Sequence, residues 1–155
     1  MQCPIGYFAD NSTRMCVTDC PSDPNYFADW FSRTCVPLCP ETDTTKYYAD
    51  NVTRSCVEDC PIATNNTYRD SILRICMPVC SDKQFSDNST GNCVEVCPSD
   101  PDMFGQIDIK VCVYVCDANL SLWADNISRT CVQECPANSF ADNSTQRCVQ
   151  VCPAS

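Results

Sequence analysis

The sequence predicts a small disulfide-rich repeat array: eight short β-hairpin units stacked into an elongated rod, with little helix. Three observations carry this expectation. Seventeen of the 155 residues are cysteine, above the share of about 8–10% that marks a disulfide scaffold. The cysteines keep a rhythm, with Cys-x-x-x-Cys occurring eight times and gaps of 13 to 17 residues between. One phrase also recurs between them, as in "YADNVTRSCVEDCP", "WADNISRTCVQECP" and "FADNSTQRCVQVCP". A fixed period of this length means an array.

The repeats run 3–19, 20–38, 39–59, 60–79, 80–96, 97–115, 116–134 and 135–151, and a ninth begins at Cys152. Eight residues before the second cysteine stands an aromatic: Phe8, Phe27, Tyr48, Tyr68, Phe85, Phe104, Trp123 and Phe140. Six before it stands Asp in seven repeats: Asp10, Asp29, Asp50, Asp70, Asp87, Asp125 and Asp142. All length variation falls between the first cysteine and the aromatic, so that segment is a loop. In "FADNSTRMCV" an aromatic strand enters, Asp-Asn-Ser-Thr turns, and a strand containing Arg14, Cys16 and Val17 leaves. Asp opens turns because its carboxylate accepts a backbone N–H two residues on. "CPSDPNYF" at Cys20 returns as "CPSDPDMF" at Cys97, which suggests two four-repeat super-units, 3–79 and 80–151.

A repeat with one aromatic and one or two aliphatics cannot offset its own chain entropy. A disulfide closing a loop of about 15 residues contributes roughly 3 kcal/mol in the chain-entropy model. Three pairings remain open from sequence. The preferred one closes each repeat on itself: Cys3–Cys16, Cys20–Cys35, Cys39–Cys56, Cys60–Cys76, Cys80–Cys93, Cys97–Cys112, Cys116–Cys131 and Cys135–Cys148. A second interlocks neighbours, as Cys3–Cys20 with Cys16–Cys35. A third pairs within Cys-x-x-x-Cys. Zinc is the competing use of many thiols, but its sites favour Cys-x2-Cys sets, often with His, and this chain has no histidine. No metal or cofactor is expected.

Seven Asn-x-Ser/Thr sequons are present, at Asn11, Asn51, Asn65, Asn88, Asn119, Asn126 and Asn143. Five share one place, the predicted hairpin tip, where a sugar meets no steric conflict: Asn11, Asn51, Asn88, Asn126 and Asn143. Asn65 and Asn119 lie in variable loops. The competing reading is that Asn-Ser-Thr is simply good turn chemistry. Repeats two, four and six lack the tip sequon. Repeats two and six carry Trp30 and Phe31, and Met103, Phe104, Ile107 and Ile109. Exposed apolar residues on an acidic, sugared surface suggest a protein contact at Trp30, Phe31, Ile107 and Ile109; drift is the alternative.

The units Cys-Pro-x(n)-aromatic-Ala-Asp-Asn-x-Ser/Thr-Arg-x-Cys-Val-x-x-Cys-Pro resemble growth-factor-receptor-type, furin-like cysteine-rich repeats, and the long tandem arrays of ciliated-protist surface proteins most of all. The resemblance covers the whole chain and implies a rod-like ectodomain of stacked disulfide modules. It carries over no ligand-binding residue. Glycine is scarce here, and one simple unit repeats where receptors alternate module types.

Acidic residues outnumber basic ones 20 to 10, which disfavours nucleic acid. No apolar run is long enough to span a bilayer and Met1 does not open a signal-peptide pattern, so a secreted protein would be a mature form or an excerpt. With no histidine and no nucleophile–base constellation, an enzyme is not expected. The repeated Asp is a turn-capping residue rather than a calcium ligand. The preferred expectation is an extracellular or cell-surface structural glycoprotein, a glycan-coated rod or filament. Its expected partners are N-linked glycans and neighbouring copies of the array. The alternative is a receptor or adhesin-like ectodomain binding a protein or glycan.

Overall fold

The computed structural model describes residues 3–62 and 66–152. Among the described residues sixteen three-residue strands form eight antiparallel hairpins. They are Phe8–Asp10 with Met15–Val17 (β1, β2), Phe27–Asp29 with Thr34–Val36 (β3, β4), Tyr48–Asp50 with Ser55–Val57 (β5, β6), and Tyr68–Asp70 with Ile75–Met77 (β7, β8). Then follow Phe85–Asp87 with Asn92–Val94 (β9, β10), Phe104–Gln106 with Val111–Val113 (β11, β12), Trp123–Asp125 with Thr130–Val132 (β13, β14), and Phe140–Asp142 with Arg147–Val149 (β15, β16). A short 3-10 turn, Ala118–Leu120, interrupts one loop. The chain divides into two compact units, Met1–Pro78 and Val79–Ser155.

Within the first unit the strand order is β7-β8-β5-β6-β3-β4-β1-β2, and within the second β15-β16-β13-β14-β11-β12-β9-β10. Hairpin partners keep one register: Phe8 faces Val17, Ala9 faces Cys16, and Asp10 faces Met15. Between hairpins the pairing is parallel, joining the incoming strand of one repeat to the outgoing strand of the next. Ala9 meets Thr34, Ala28 meets Ser55, and Gly105 meets Thr130. Such short strands are marginal alone, so the sheet exists only as a ladder of neighbours.

Each disulfide closes its own repeat, from Cys3–Cys16 and Cys20–Cys35 through Cys135–Cys148. The intermediate bonds are Cys39–Cys56, Cys60–Cys76, Cys80–Cys93, Cys97–Cys112 and Cys116–Cys131. Cys152 is free and exposed.

The core follows from these pairings. Phe8 packs on Cys20 and Cys35, Phe27 on Cys39 and Cys56, Tyr48 on Cys60 and Cys76, and Phe104 on Cys116 and Cys131. An aromatic is therefore buried against the disulfide of the following repeat, a contact soft sulfur favours. Phe104 is 0% exposed, whereas Phe140, with no described hairpin upon it, is 56% exposed. Gly105 lies under the Phe85 ring, and a Cβ there would come within 2.5 Å of it.

The outgoing strand begins one residue later than the sequence suggests. Arg14 belongs to the turn, with φ of 59°. The same last turn position holds Arg33, Arg54, Arg74, Gly91, Lys110, Arg129 and Gln146, all at positive φ. A bond from its N–H to the Asp carbonyl four residues back closes the turn, at 2.8 Å for Arg33, Arg74 and Gly91. Its own carbonyl then accepts the N–H of the preceding repeat's strand: Ala9 to Arg33, Ala28 to Arg54, and Gly105 to Arg129, at 2.8–2.9 Å.

At five of these positions the side chain clamps the same neighbour. Arg54 donates to the carbonyls of Pro21 at 2.9 Å and Tyr26 at 2.6 Å while lying over the Phe27 ring at 4.6 Å. Arg129 donates to Pro98 and Met103 and lies 4.3 Å from the centroid of Phe104. Arg74 reaches the Cys39 carbonyl, Lys110 pairs with Asp82, and Gln146 bonds the Leu122 carbonyl. Left-handed backbone ordinarily selects glycine; here the clamp offsets the strain.

Arg129→Gly separates these effects, because glycine keeps the left-handed turn and removes only the clamp. A loss of roughly 2 kcal/mol is expected from the hydrogen bonds and the cation–π contact. Amide exchange would accelerate at Met103 and Gly105, while unreduced peptide maps keep Cys97 joined to Cys112.

Candidate functional site

Each tip is built on its Asp. The Asp10 carboxylate accepts the Ser12 N–H at 2.9 Å, the Ser12 hydroxyl at 2.7 Å and the Thr13 hydroxyl at 2.6 Å. Asp50 accepts from Val52 and Thr53, Asp125 from Ile127 and Ser128, and Asp142 from Ser144 and Thr145. These carboxylates are buried although they sit at turns. Among the described residues no group of acids or cysteines forms a metal cage.

The electrostatics follow from those donors. Hydrogen bonds from the Thr13 hydroxyl, then the Ser12 hydroxyl, hold the Asp10 carboxyl below the usual carboxylate range. The Thr145 and Ser144 hydroxyls do the same for Asp142. At Asp87 burial pushes upward, but the Ser89 and Thr90 hydroxyls and backbone N–H groups outweigh it. Asp125 shows the same balance, with Ser128 its chief donor.

The hydroxyl donor common to all five of these carboxylates is the third residue of the sequon. Thr13, Thr53, Thr90, Ser128 and Thr145 all bond the Asp of their own turn at 2.6–2.7 Å. Repeat two keeps this device without an asparagine, because Ser32 bonds Asp29 at 2.5 Å. Repeat six loses both partners together: Gln106 replaces the Asp and Ile109 the hydroxyl. Ser/Thr at this place thus serves the turn.

The asparagine does not. Asn11, Asn51, Asn88, Asn126 and Asn143 are all exposed. The side chains of Asn11 and Asn51 have no hydrogen-bond partner among the described residues. The amide oxygens of Asn126 and Asn143 accept from Arg147 and from the Trp123 ring N–H, each at 3.2 Å. Those bonds leave the amide nitrogen available. Asn119 is exposed in the 3-10 turn, its N–H bonded to Asp117; Asn65 lies outside the described residues.

The tips without sequons divide. Phe31 is 90% exposed and Ile107 64%, with Ile109 also exposed. Trp30 is exposed yet meets Phe8 edge-to-face, ring centroids 4.8 Å apart. Met103 and Phe104, expected with them at the surface, are buried instead. They belong to the loop end and incoming strand, which the next repeat covers, and not to the tip. Ile107 and Asp108 line a groove of about 660 Å3 with Leu120, Leu122 and Val132. Sequence reasoning missed the left-handed clamp, whose signal was the recurrent Arg two residues before the second cysteine.

The chain is a tandem cysteine-rich repeat array of disulfide-closed hairpins, a construction that fits an oxidising compartment. No helix among the described residues is long and apolar enough to cross a membrane. No family model matches the chain, and neither curated proteins nor solved structures yield a match.

A carboxyl whose folded pKa is lowered contributes stability that is present above its unfolded value and lost as the pH falls through its folded one. The turns are therefore expected to loosen below about pH 4, with the disulfides intact. Faster amide exchange at Ser12, Ser89 and Ile127 near pH 2 than the intrinsic rates predict would show it. At neutral pH Asp87→Ala is expected to cost roughly 2 kcal/mol, since its donors are left without an acceptor.

Proposed function

We propose that this protein is an extracellular structural glycoprotein, a glycan-coated repeat array forming a surface coat, stalk or fibril. One observation carries the reading. The hydroxyl of each tip sequon bonds the Asp of its turn whereas the asparagine is not part of that bonding, yet five tips keep an exposed asparagine in register. N-glycosylation supplies a reason for that asparagine, and a tip is where a sugar is accommodated without conflict. Regular disulfides supply stiffness, and sugars with a net charge of −10 supply solubility. The resemblance to furin-like receptor repeats and protist surface arrays supports the same setting. In a coat or fibril neighbouring copies lie alongside one another, and the sugar-free tips of Trp30–Phe31 and Ile107–Ile109 are where protein approaches most closely.

A receptor or adhesin-like ectodomain is the second reading. The groove beside Ile107, lined by Leu120 and Leu122, favours it. No catalytic constellation supports an enzyme, and neither reading calls for a cofactor.

Mass spectrometry of the native protein is expected to find glycan at Asn11, Asn51, Asn88, Asn126 and Asn143, with Asn65 and Asn119 as further carriers. Bare asparagine at most tips ends this reading. Electron micrographs of the native material are expected to show a thin extended particle or fibril; isolated compact particles would favour the receptor reading.

A further inference from the structure

In the first compact unit strand direction sorts the tips onto two edges. β1 is antiparallel to β2 and parallel to β4, and β3 stands in the same relation to β4 and β6. The pattern continues through β5 and β8 to β7. β1 and β5 therefore run toward one edge, and β3 and β7 toward the other. The tips bearing Asn11 and Asn51 share the first edge. The tips bearing Trp30–Phe31 and Ile72–Leu73 share the second, and no described residue of either is a sequon asparagine.

The Cys-x-x-x-Cys links alternate in the same way. Those leaving β2 and β6, with Asp19 and with Glu58–Asp59, emerge on the Trp30 edge, whereas Pro37–Leu38 leaves β4 on the other. Asp19 and Trp30 accordingly line one cavity. Along the second edge the order is Asp19, Trp30–Phe31, Glu58–Asp59, Ile72–Leu73. Neighbouring stations lie two strand spacings, about 10 Å, apart, and the two apolar pairs about 19 Å apart.

Phe31 and Ile72 are 90% and 69% exposed. Trp30, Phe31 and Tyr47 line a recess of about 300 Å3, which is room for one apolar side chain. The most exposed charges beside them are carboxylates. Among the described residues Asp19 and Glu58 are exposed and join no ion pair, and Asp59 meets Arg69 at 2.5 Å with its side chain still 79% exposed. Of the nearby cations Lys46 is held by Glu41 at 3.0 Å, Arg54 by Asn25 and the carbonyls of Pro21 and Tyr26, and Arg74 by the Cys39 carbonyl and Glu41, while Arg33 is half-buried with one guanidinium nitrogen out of contact with solvent. A second copy docked by this edge would set carboxylate against carboxylate.

We propose that this edge docks an extended, cationic segment of a partner protein, which bridges copies of the array that repel each other directly. Two apolar side chains of the segment seat at Trp30–Phe31 and Ile72–Leu73. In a strand they lie about six residues apart, with Lys or Arg between them facing Glu58 and Asp59 and another beyond them facing Asp19. The proposal stands on the residues of the edge and not on sugar occupancy at Asn11 or Asn51.

The test uses the full disulfide-bonded chain with Trp123→Phe, so that Trp30 is the only tryptophan. The probe is a synthetic peptide with two leucines about six residues apart, lysine between and outside them, and serine elsewhere. A saturable blue shift of Trp30 emission, weakened by salt, is expected. Phe31→Ser and the pair Asp19→Asn with Glu58→Gln should each weaken binding by roughly tenfold. Val52→Ser, on the opposite edge, should leave it unchanged. The proposal is overturned by a flat titration, by equal binding of the peptide with glutamate in place of lysine, or by equal weakening in Val52→Ser. Self-association of the chain without peptide, abolished by Phe31→Ser, assigns the edge to a second copy and also overturns it.

Discussion

Five aromatic rings of this protein pack on the disulfide of the following repeat and not on that of their own hairpin. Phe8, Phe27, Tyr48, Phe85 and Phe104 each lie against the cysteines of the following repeat, and where a described follower is lacking, at Phe140, the ring is exposed. Every other feature depends on this displacement by one repeat. It obliges the incoming strand of one hairpin to lie parallel to the outgoing strand of the next, and it makes each disulfide both a staple and a packing surface. Stability of such a chain is close to a sum of repeat and nearest-neighbour terms, with the neighbour term the larger share because a three-residue strand has little stability of its own.

The turn residue at positive φ is the second half of that junction. A left-handed conformation costs a side-chain-bearing residue about 1–2 kcal/mol, which glycine would avoid. This chain uses glycine there once, at Gly91, and places Arg, Lys or Gln at the other seven positions. The gain is geometric. The strained position aims the side chain back along the sheet, so that Arg54 and Arg129 cover the ring of the preceding repeat and bond its loop carbonyls. Only three glycines occur in the chain.

At the tips two demands overlap on one tripeptide. The Asp carboxylate takes a hydroxyl three residues on where one is present, and Ser supplies it even where no asparagine stands, as at Ser32, while Asp70, with Leu73 at that place, accepts the backbone N–H groups of Ile72 and Leu73. The asparagine is an addition to a turn that is already complete, which is why its recurrence speaks to function and the recurrence of Ser/Thr does not. Because consecutive hairpins point to opposite edges, a preference that alternates along the sequence becomes a difference between two edges in space. In the first compact unit one edge gathers the asparagines, and the other gathers exposed apolar tips with carboxylates between them.

Much of this was legible in the amino-acid order. The cysteine rhythm with an aromatic and an Asp in fixed register is enough to derive eight hairpins, the tip position and the loops that absorb length changes, because all of these are local. The closure of each repeat by its own disulfide is likewise short in sequence. The placement of Met103 and Phe104 was not legible, because burial there comes from the next repeat and not from the tip they precede. Nor was the role of the recurrent arginine, since its partners Pro21 and Tyr26 lie 33 and 28 residues from Arg54. The alternation of edges was hidden for the same reason: periodicity shows that repeats are alike, but whether neighbours point the same way or opposite ways is decided by parallel hydrogen bonding between strands of different repeats. Local chemistry made the hairpin, and the tertiary ladder decided what each hairpin faces.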